Sequence, residues 1–269
     1  MLEDILPFLW LLPMGLFTGA YGALIGAGGG FILVPALLIL FPNEAPEIVT
    51  SISLTVVFFN ALSGTIAYAR SQRIDYKIGV IFSLATMPGA VLGALATTAV
   101  SRERFNLLFG VLLLAIAAAL VISPGKKSAT RIAQTSYRSS GIGSLDFATS
   151  VIGALVSTAF GFLSSFLGIG GGILYVPALV YLLRVPVHVA TATSLFVLMI
   201  TAFTGSATHF VTGLFHAGTG RAVALSIGAV VGAQAGAVLS QKIHGEWIIR
   251  SLALALGLVG IRLLSQSLW

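Results

Sequence analysis

The 269-residue chain contains no cysteine, which excludes disulfides, thiolate metal sites and cysteine redox chemistry. Charge is nearly as scarce: 8% of the residues are Asp, Glu, Lys or Arg, against about 25% in a soluble domain. None of the acidic residues falls in the middle of an apolar run, so a carboxylate proton relay or a sodium cage has no support. No His, Asp and Glu cluster has metal-ligand spacing, and no nucleophile–base pair stands out. An enzyme is not expected, and neither a cofactor nor a metal is called for.

What fills the chain is hydrophobic, 57% of it, with a mean hydropathy of +1.05. Runs of roughly 20 apolar residues recur from end to end, the length a helix needs to cross lipid. The sequence predicts an all-α polytopic membrane protein. The formal charge of +6 sits in short loops, where it sets membrane orientation rather than binding nucleic acid. Met1-Leu2-Glu3-Asp4 lacks the basic flank of a signal peptide, so the run from Ile5 reads as a retained first helix.

Inside the apolar sequence lies an expensive phrase, Gly26-Ala27-Gly28-Gly29-Gly30 followed by Phe31-Ile32-Leu33-Val34-Pro35-Ala36-Leu37. It returns as Gly168-Ile169-Gly170-Gly171-Gly172 followed by Ile173-Leu174-Tyr175-Val176-Pro177-Ala178-Leu179, every glycine and the proline displaced by 142 residues. A helix broken in lipid strands backbone N–H and C=O groups where no water can reach them. Paired breaks in two halves of a chain point to a transporter binding site.

The spacing therefore predicts two homologous halves, residues 1–122 and 147–269, joined by a cytoplasmic linker over 123–146. Each half has about five hydrophobic segments, two of which flank the break. Ten crossings would make the halves inverted repeats; eight, with each broken pair crossing once, would make them parallel. The ten-segment arrangement places 10 of the 14 Lys and Arg residues inside, against 9 for the eight-segment one, and is preferred on that slight bias and because it leaves the acidic N-terminus outside. Glycines spaced by four, such as Gly89/Gly93 and Gly228/Gly232/Gly236, read as close helix packing.

The clusters do not bind nucleotides: neither gives G-x-G-x-x-G, and no G-K-[ST] follows. Freed N–H groups at the start of a half-helix can instead hold an anion without any Lys or Arg. The candidates are Gly28, Gly29 and Gly30 with Gly170, Gly171 and Gly172. The stretch Thr50-Ser51-Ile52-Ser53-Leu54 after the first break is answered by Thr191-Ala192-Thr193-Ser194-Leu195 at an offset of 141, and the candidate hydroxyls are Ser51 and Ser53 in one half and Thr193 and Ser194 in the other. They either donate to an anion or bond back to their own helix. Asn60, Gln234 and His209 are the larger polar groups within spans. Asn60 reads as an interhelical hydrogen bond, and His209 as either that or a proton carrier.

The duplicated hinge phrase, the hydroxyls after it, the turn Arg73-Ile74-Asp75-Tyr76 and the Gly89/Gly93 helix resemble the TauE/SafE family of membrane permeases over all but the linker. That resemblance implies transport of sulfur-containing anions, such as sulfite, sulfoacetate or other organosulfonates, outward across the bacterial inner membrane. It implies a site of Gly28 to Gly30 and Gly170 to Gly172, with Pro35 and Pro177 ending the breaks and Ser51, Ser53, Thr193 and Ser194 lining it. The halves differ where Gly22 is answered by Ser164 and Phe31 by Ile173. The expected partners are a small anion and membrane lipid, with a homodimer left open. An anion channel and a non-transporting membrane partner are the rival readings.

Overall fold

In a computed structural model, described over residues 6–122, 147–183, 185–213, 218–240, 242–243 and 245–267, ten α-helices and no strand are present among the described residues. They are α1 (Leu12–Ile25, led by a 3-10 stretch Leu6–Leu11), α2 (Gly30–Leu40), α3 (Pro46–Arg70), α4 (Tyr76–Thr97) and α5 (Arg102–Ile122). After the linker, which lies outside the described residues, come α6 (Phe147–Leu167), α7 (Gly172–Pro177), α8 (Val187–Val211), α9 (Thr219–Ser240) and α10 (Gly245–Ser267). Beyond Pro177, α7 continues as a π-helical stretch, Ala178–Leu182. Seven helices are long and apolar enough to cross a membrane: α1 with its 3-10 lead, α3, α4, α5, α8, α9 and α10.

Local sequence sets the ends. Pro46 opens α3, where its missing N–H costs nothing, and Glu47 suits the positive end of the helix dipole. Asp75 caps α4, its Oδ1 accepting from the Ile78 N–H at 3.0 Å. α3 and α8 are the most enclosed helices and run antiparallel, Gly64 facing Leu195 and Gly205 facing Leu54. Around them α1 packs on α9, and α6 on α4. Glycines carry these close contacts: a Cβ at Gly232 would strike the Leu16 carbonyl, and one at Gly89 the Thr158 carbonyl. The ladders are thus packing surfaces, as their spacing suggested.

The two broken segments fold back on themselves. Phe8, at the start of the first, and Phe41, at its end, both lie against the Arg221 guanidinium, at 5.9 and 4.5 Å from ring centroids. α1 and α2 therefore form a hairpin with both ends at the Glu44 end of the bundle, where Arg221 Nη2 meets Glu44 Oε1 at 2.6 Å. Arg102 at the head of α5 closes the same mouth by donating to the carbonyls of Leu38 and Glu44. The second hairpin opens at the other end. Gly153 of α6 faces Phe82 of α4, while Leu179 and Val185 pack with Ile78. Ten crossings and eight both require a break to carry the chain onward. α2, with 11 residues, is about 16 Å long, and it returns to the end of the bundle from which α1 sets out.

Candidate functional site: two helical hairpin tips

The hairpin tips pass each other in the middle of the bundle. Gly28 and Gly170 both rest on the side chains of Val57 and Leu198, near the centres of α3 and α8. A Cβ at Gly30 would sit 2.8 Å from the Ile169 Cα, and one at Gly172 would strike the Gly26 carbonyl. Backbone touches backbone here, and no larger residue fits.

Each break is made by a turn of positive φ, +73° and +79° at Gly28 and Gly29, +79° and +87° at Gly170 and Gly171. L-residues with a side chain rarely adopt such values. The reversal is tied to its own helix: the N–H groups of Ala27 and Gly28 donate to the Gly22 carbonyl, and those of Ile169 and Gly170 to the Ser164 carbonyl. The next three N–H groups, on Gly29, Gly30 and Phe31, make no hydrogen bond, nor do those on Gly171, Gly172 and Ile173. All six residues are buried. Each set opens a short helix and points along its positive end.

The freed carbonyls, by contrast, are capped. Ser53 Oγ donates to the Gly168 carbonyl at 2.6 Å, and Ser194 Oγ donates to the Gly26 carbonyl at 2.9 Å, with Gly172 O further off at 3.4 Å. Each half thus supplies the hydroxyl that closes the other half's break. Ser51 bonds back to the Ile48 carbonyl at 2.9 Å. Thr193 Oγ1 accepts from the Asp75 N–H at 2.9 Å, which ties α8 to the α3–α4 turn. Four candidate hydroxyls therefore divide into two hinge caps, one back-bond and one turn anchor.

Asn60 lies at the first hinge itself: its Nδ2 donates to the Gly28 carbonyl at 2.7 Å, and its Oδ1 has no partner. Gln234 stands apart, its Nε2 donating to the Ser63 carbonyl and Oγ, both at 2.8 Å, in a bond between α9 and α3. His209 is 1% exposed, and its Nε2 has no partner. No group of three or more His, Cys, Asp or Glu that could hold a metal exists among the described residues.

The family model described as sulfite exporter TauE/SafE matches this chain over residues 11–263. The chain belongs to that family. It is 32% identical to the probable membrane transporter protein YunE of Bacillus subtilis, across 97% of this chain and 99% of the relative. It is also 26% identical to a probable membrane transporter protein of Methanocaldococcus jannaschii over 96% and 97% of the two chains. A third relative, from Xylella fastidiosa, is 34% identical over 67% of this chain and 65% of its own length. No solved structure matches. The chain is thus a multi-pass membrane protein of a transporter family.

Several residues of this TauE/SafE site escaped the sequence reading. Val57 and Leu198 are apolar residues among many, marked only by their offset of 141. Ser164 and Ser165, both buried with unpartnered Oγ atoms, follow the second helix to its tip. Of these, Ser164 alone had a signal, because it breaks the repeat with Gly22.

Proposed function

We propose that this protein is a permease for a small sulfur-containing oxyanion, sulfite or an organosulfonate such as sulfoacetate, exported by alternating access. The reading is carried by the six buried N–H groups at the two hinges that have no acceptor. A buried, unmet donor costs about 1–3 kcal/mol, a deficit that an anion at the helix N-terminus removes. The family description and the family's membrane transporters support a transported solute. The site has no Lys or Arg near its centre, so the anion is held by dipoles and can leave.

The two halves are read as inverted repeats, each with three crossings and one re-entrant hairpin. Re-entrant backbone is tolerated at membrane depth only where protein or a cavity surrounds it. The sides follow from charge: the second hairpin's open end carries Arg70, Arg73 and Lys77, so it faces the cytoplasm of the inner membrane. Expelling one negative charge from a negative interior is favoured by about 2.3 kcal/mol per 100 mV. Val57 and Leu198 fill the space between the hinges, which favours a carrier over an open pore. Rocking the halves parts these two side chains and bares the hinges to one side at a time.

The test is flux of labelled sulfite and sulfoacetate in oriented vesicles under an imposed potential. Saturable, potential-driven flux with counter-exchange is expected. Linear flux without counter-exchange would point to a channel, and no flux of either anion would sink the reading.

A further inference from the structure

The halves can be compared position by position where each hairpin tip meets the helix opposite. In the first copy a Cβ at Gly64 of α3 would face Ala23 and Leu195, and in the second one at Gly205 of α8 would face Ser165 and Leu54. Partners correspond at offsets of 141 and 142. One turn after each glycine, on the same helix face, stand Tyr68 and His209. The Tyr68 hydroxyl donates to the Ala23 carbonyl at 2.9 Å and lies 2.7 Å from Ser240 Oγ. That corner of the first copy is closed and satisfied.

The second copy leaves the same corner open in hydrogen-bonding terms. The imidazole of His209 is shorter than a phenol, and its Nε2 finds no partner. Ser165 has replaced Ala23 and brings a hydroxyl that is also unpartnered, at 0% exposure. Ser164 has replaced Gly22 and adds a third, its Oγ 3.0 Å from where a Cβ of Gly171 would stand. The Gly171 N–H beside it is itself without an acceptor. The side chain at the first hinge has the opposite polarity. Asn60 Nδ2 donates to the Gly28 carbonyl, and the atom without a partner is Oδ1, an acceptor, which an oxyanion avoids.

We infer that Ser164, Ser165 and His209 form a donor wall at the second hinge that binds the oxyanion oxygens of the substrate, so that the charged group sits against the second hairpin and not equally between the two. The inference rests on the anion-permease reading and adds an address to it. Hydroxyl and imidazole N–H donors suit the oxygens of pyramidal or tetrahedral oxyanions.

Purified protein in detergent, titrated calorimetrically with sulfite and with sulfoacetate, tests the address. Ser164→Gly and Ser165→Ala install the residues of the first copy, and His209→Phe removes the ring N–H. Each is expected to raise Kd by about tenfold or more, the loss of one hydrogen bond to a charged group, while Tyr68→Phe at the mirror position leaves Kd unchanged. Ser165→Cys, nearly isosteric and a weak donor, takes the place of any Ser165→Ala protein that fails to elute as a monodisperse species. If the parent binds and the three variants bind equally well, the inference is overturned and the donors serve trapped water. If the parent binds neither anion, the permease reading itself has failed.

Discussion

At the first hinge Gly28 lies under an asparagine whose amide nitrogen donates to its carbonyl, and the last turn of the helix behind it carries Gly22 and Ala23. At the second, the position matching Asn60 is Thr201, spent on the Val197 carbonyl and Thr86, and the last turn of the helix carries Ser164 and Ser165. The backbones of the two turns are nearly the same, and so are the serines that cap them from across the molecule. The two turns thus share what a broken helix needs in order to exist. What varies is the set of side-chain atoms left without partners, and that set is what a ligand meets.

The largest effects are expected from bulk at the hinges. Gly29→Leu and Gly171→Leu should each abolish anion flux in vesicles, because both positions have positive φ and both sit in packed backbone. Alanine separates the two hinges. A Cβ at Gly29 would strike the Thr18 carbonyl, whereas one at Gly171 would meet the Ser164 side chain at 3.0 Å. Left-handed backbone costs about 1–2 kcal/mol in either case, so Gly29→Ala should be the less stable variant in chemical unfolding. Equal losses would mean that Ser164 cannot move aside.

Next come the caps. Ser53→Ala and Ser194→Ala each bare one buried hinge carbonyl and should cost about 1–3 kcal/mol, with saturable flux retained in the folded fraction. A rise in KM without loss of stability would make these hydroxyls ligand contacts instead of caps. Tyr68→Phe removes a satisfied bond to the Ala23 carbonyl and should cost roughly 1 kcal/mol. The smallest effect belongs to the mouth of the first hairpin. Glu44 is 25% exposed beside Arg221, and Glu44→Gln should cost less than about 1 kcal/mol, shrinking further in high salt.

The breaks were readable because glycine clusters in apolar sequence have few explanations, and because Gly28 and Gly170 recur with their neighbours. All five hydrophobic segments of each half were readable by length, down to Phe147–Leu167. The direction of the chain after a break was not. A helix that crosses and one that returns share the same apolar composition, and the convergence of Phe8 and Phe41 on Arg221 depends on residues 213 positions apart. Ser53 and Ser194 were visible as hydroxyls, but their acceptors lie in the opposite half, so local spacing suggested a ligand or their own helix. Val57 and Leu198 carry no polar atom and hence no chemical signature. His209 was visible as the lone ionisable residue of its span, yet its standing came only from comparison with Tyr68.

The exchange of caps between halves bears on how the protein is made. Synthesis proceeds from the N-terminus, so the first hairpin enters the membrane long before Ser194 is translated, and until then its Gly26 carbonyl faces lipid-depth surroundings with no donor. The second hairpin, arriving later, finds Ser53 already in place for Gly168. Biogenesis is therefore lopsided even though the finished molecule is reciprocal. A ribosome that stops after residue 122 leaves a fragment with an unsealed tip, a natural target for membrane quality control, and supplying residues 147–269 as a separate polypeptide should rescue it from degradation.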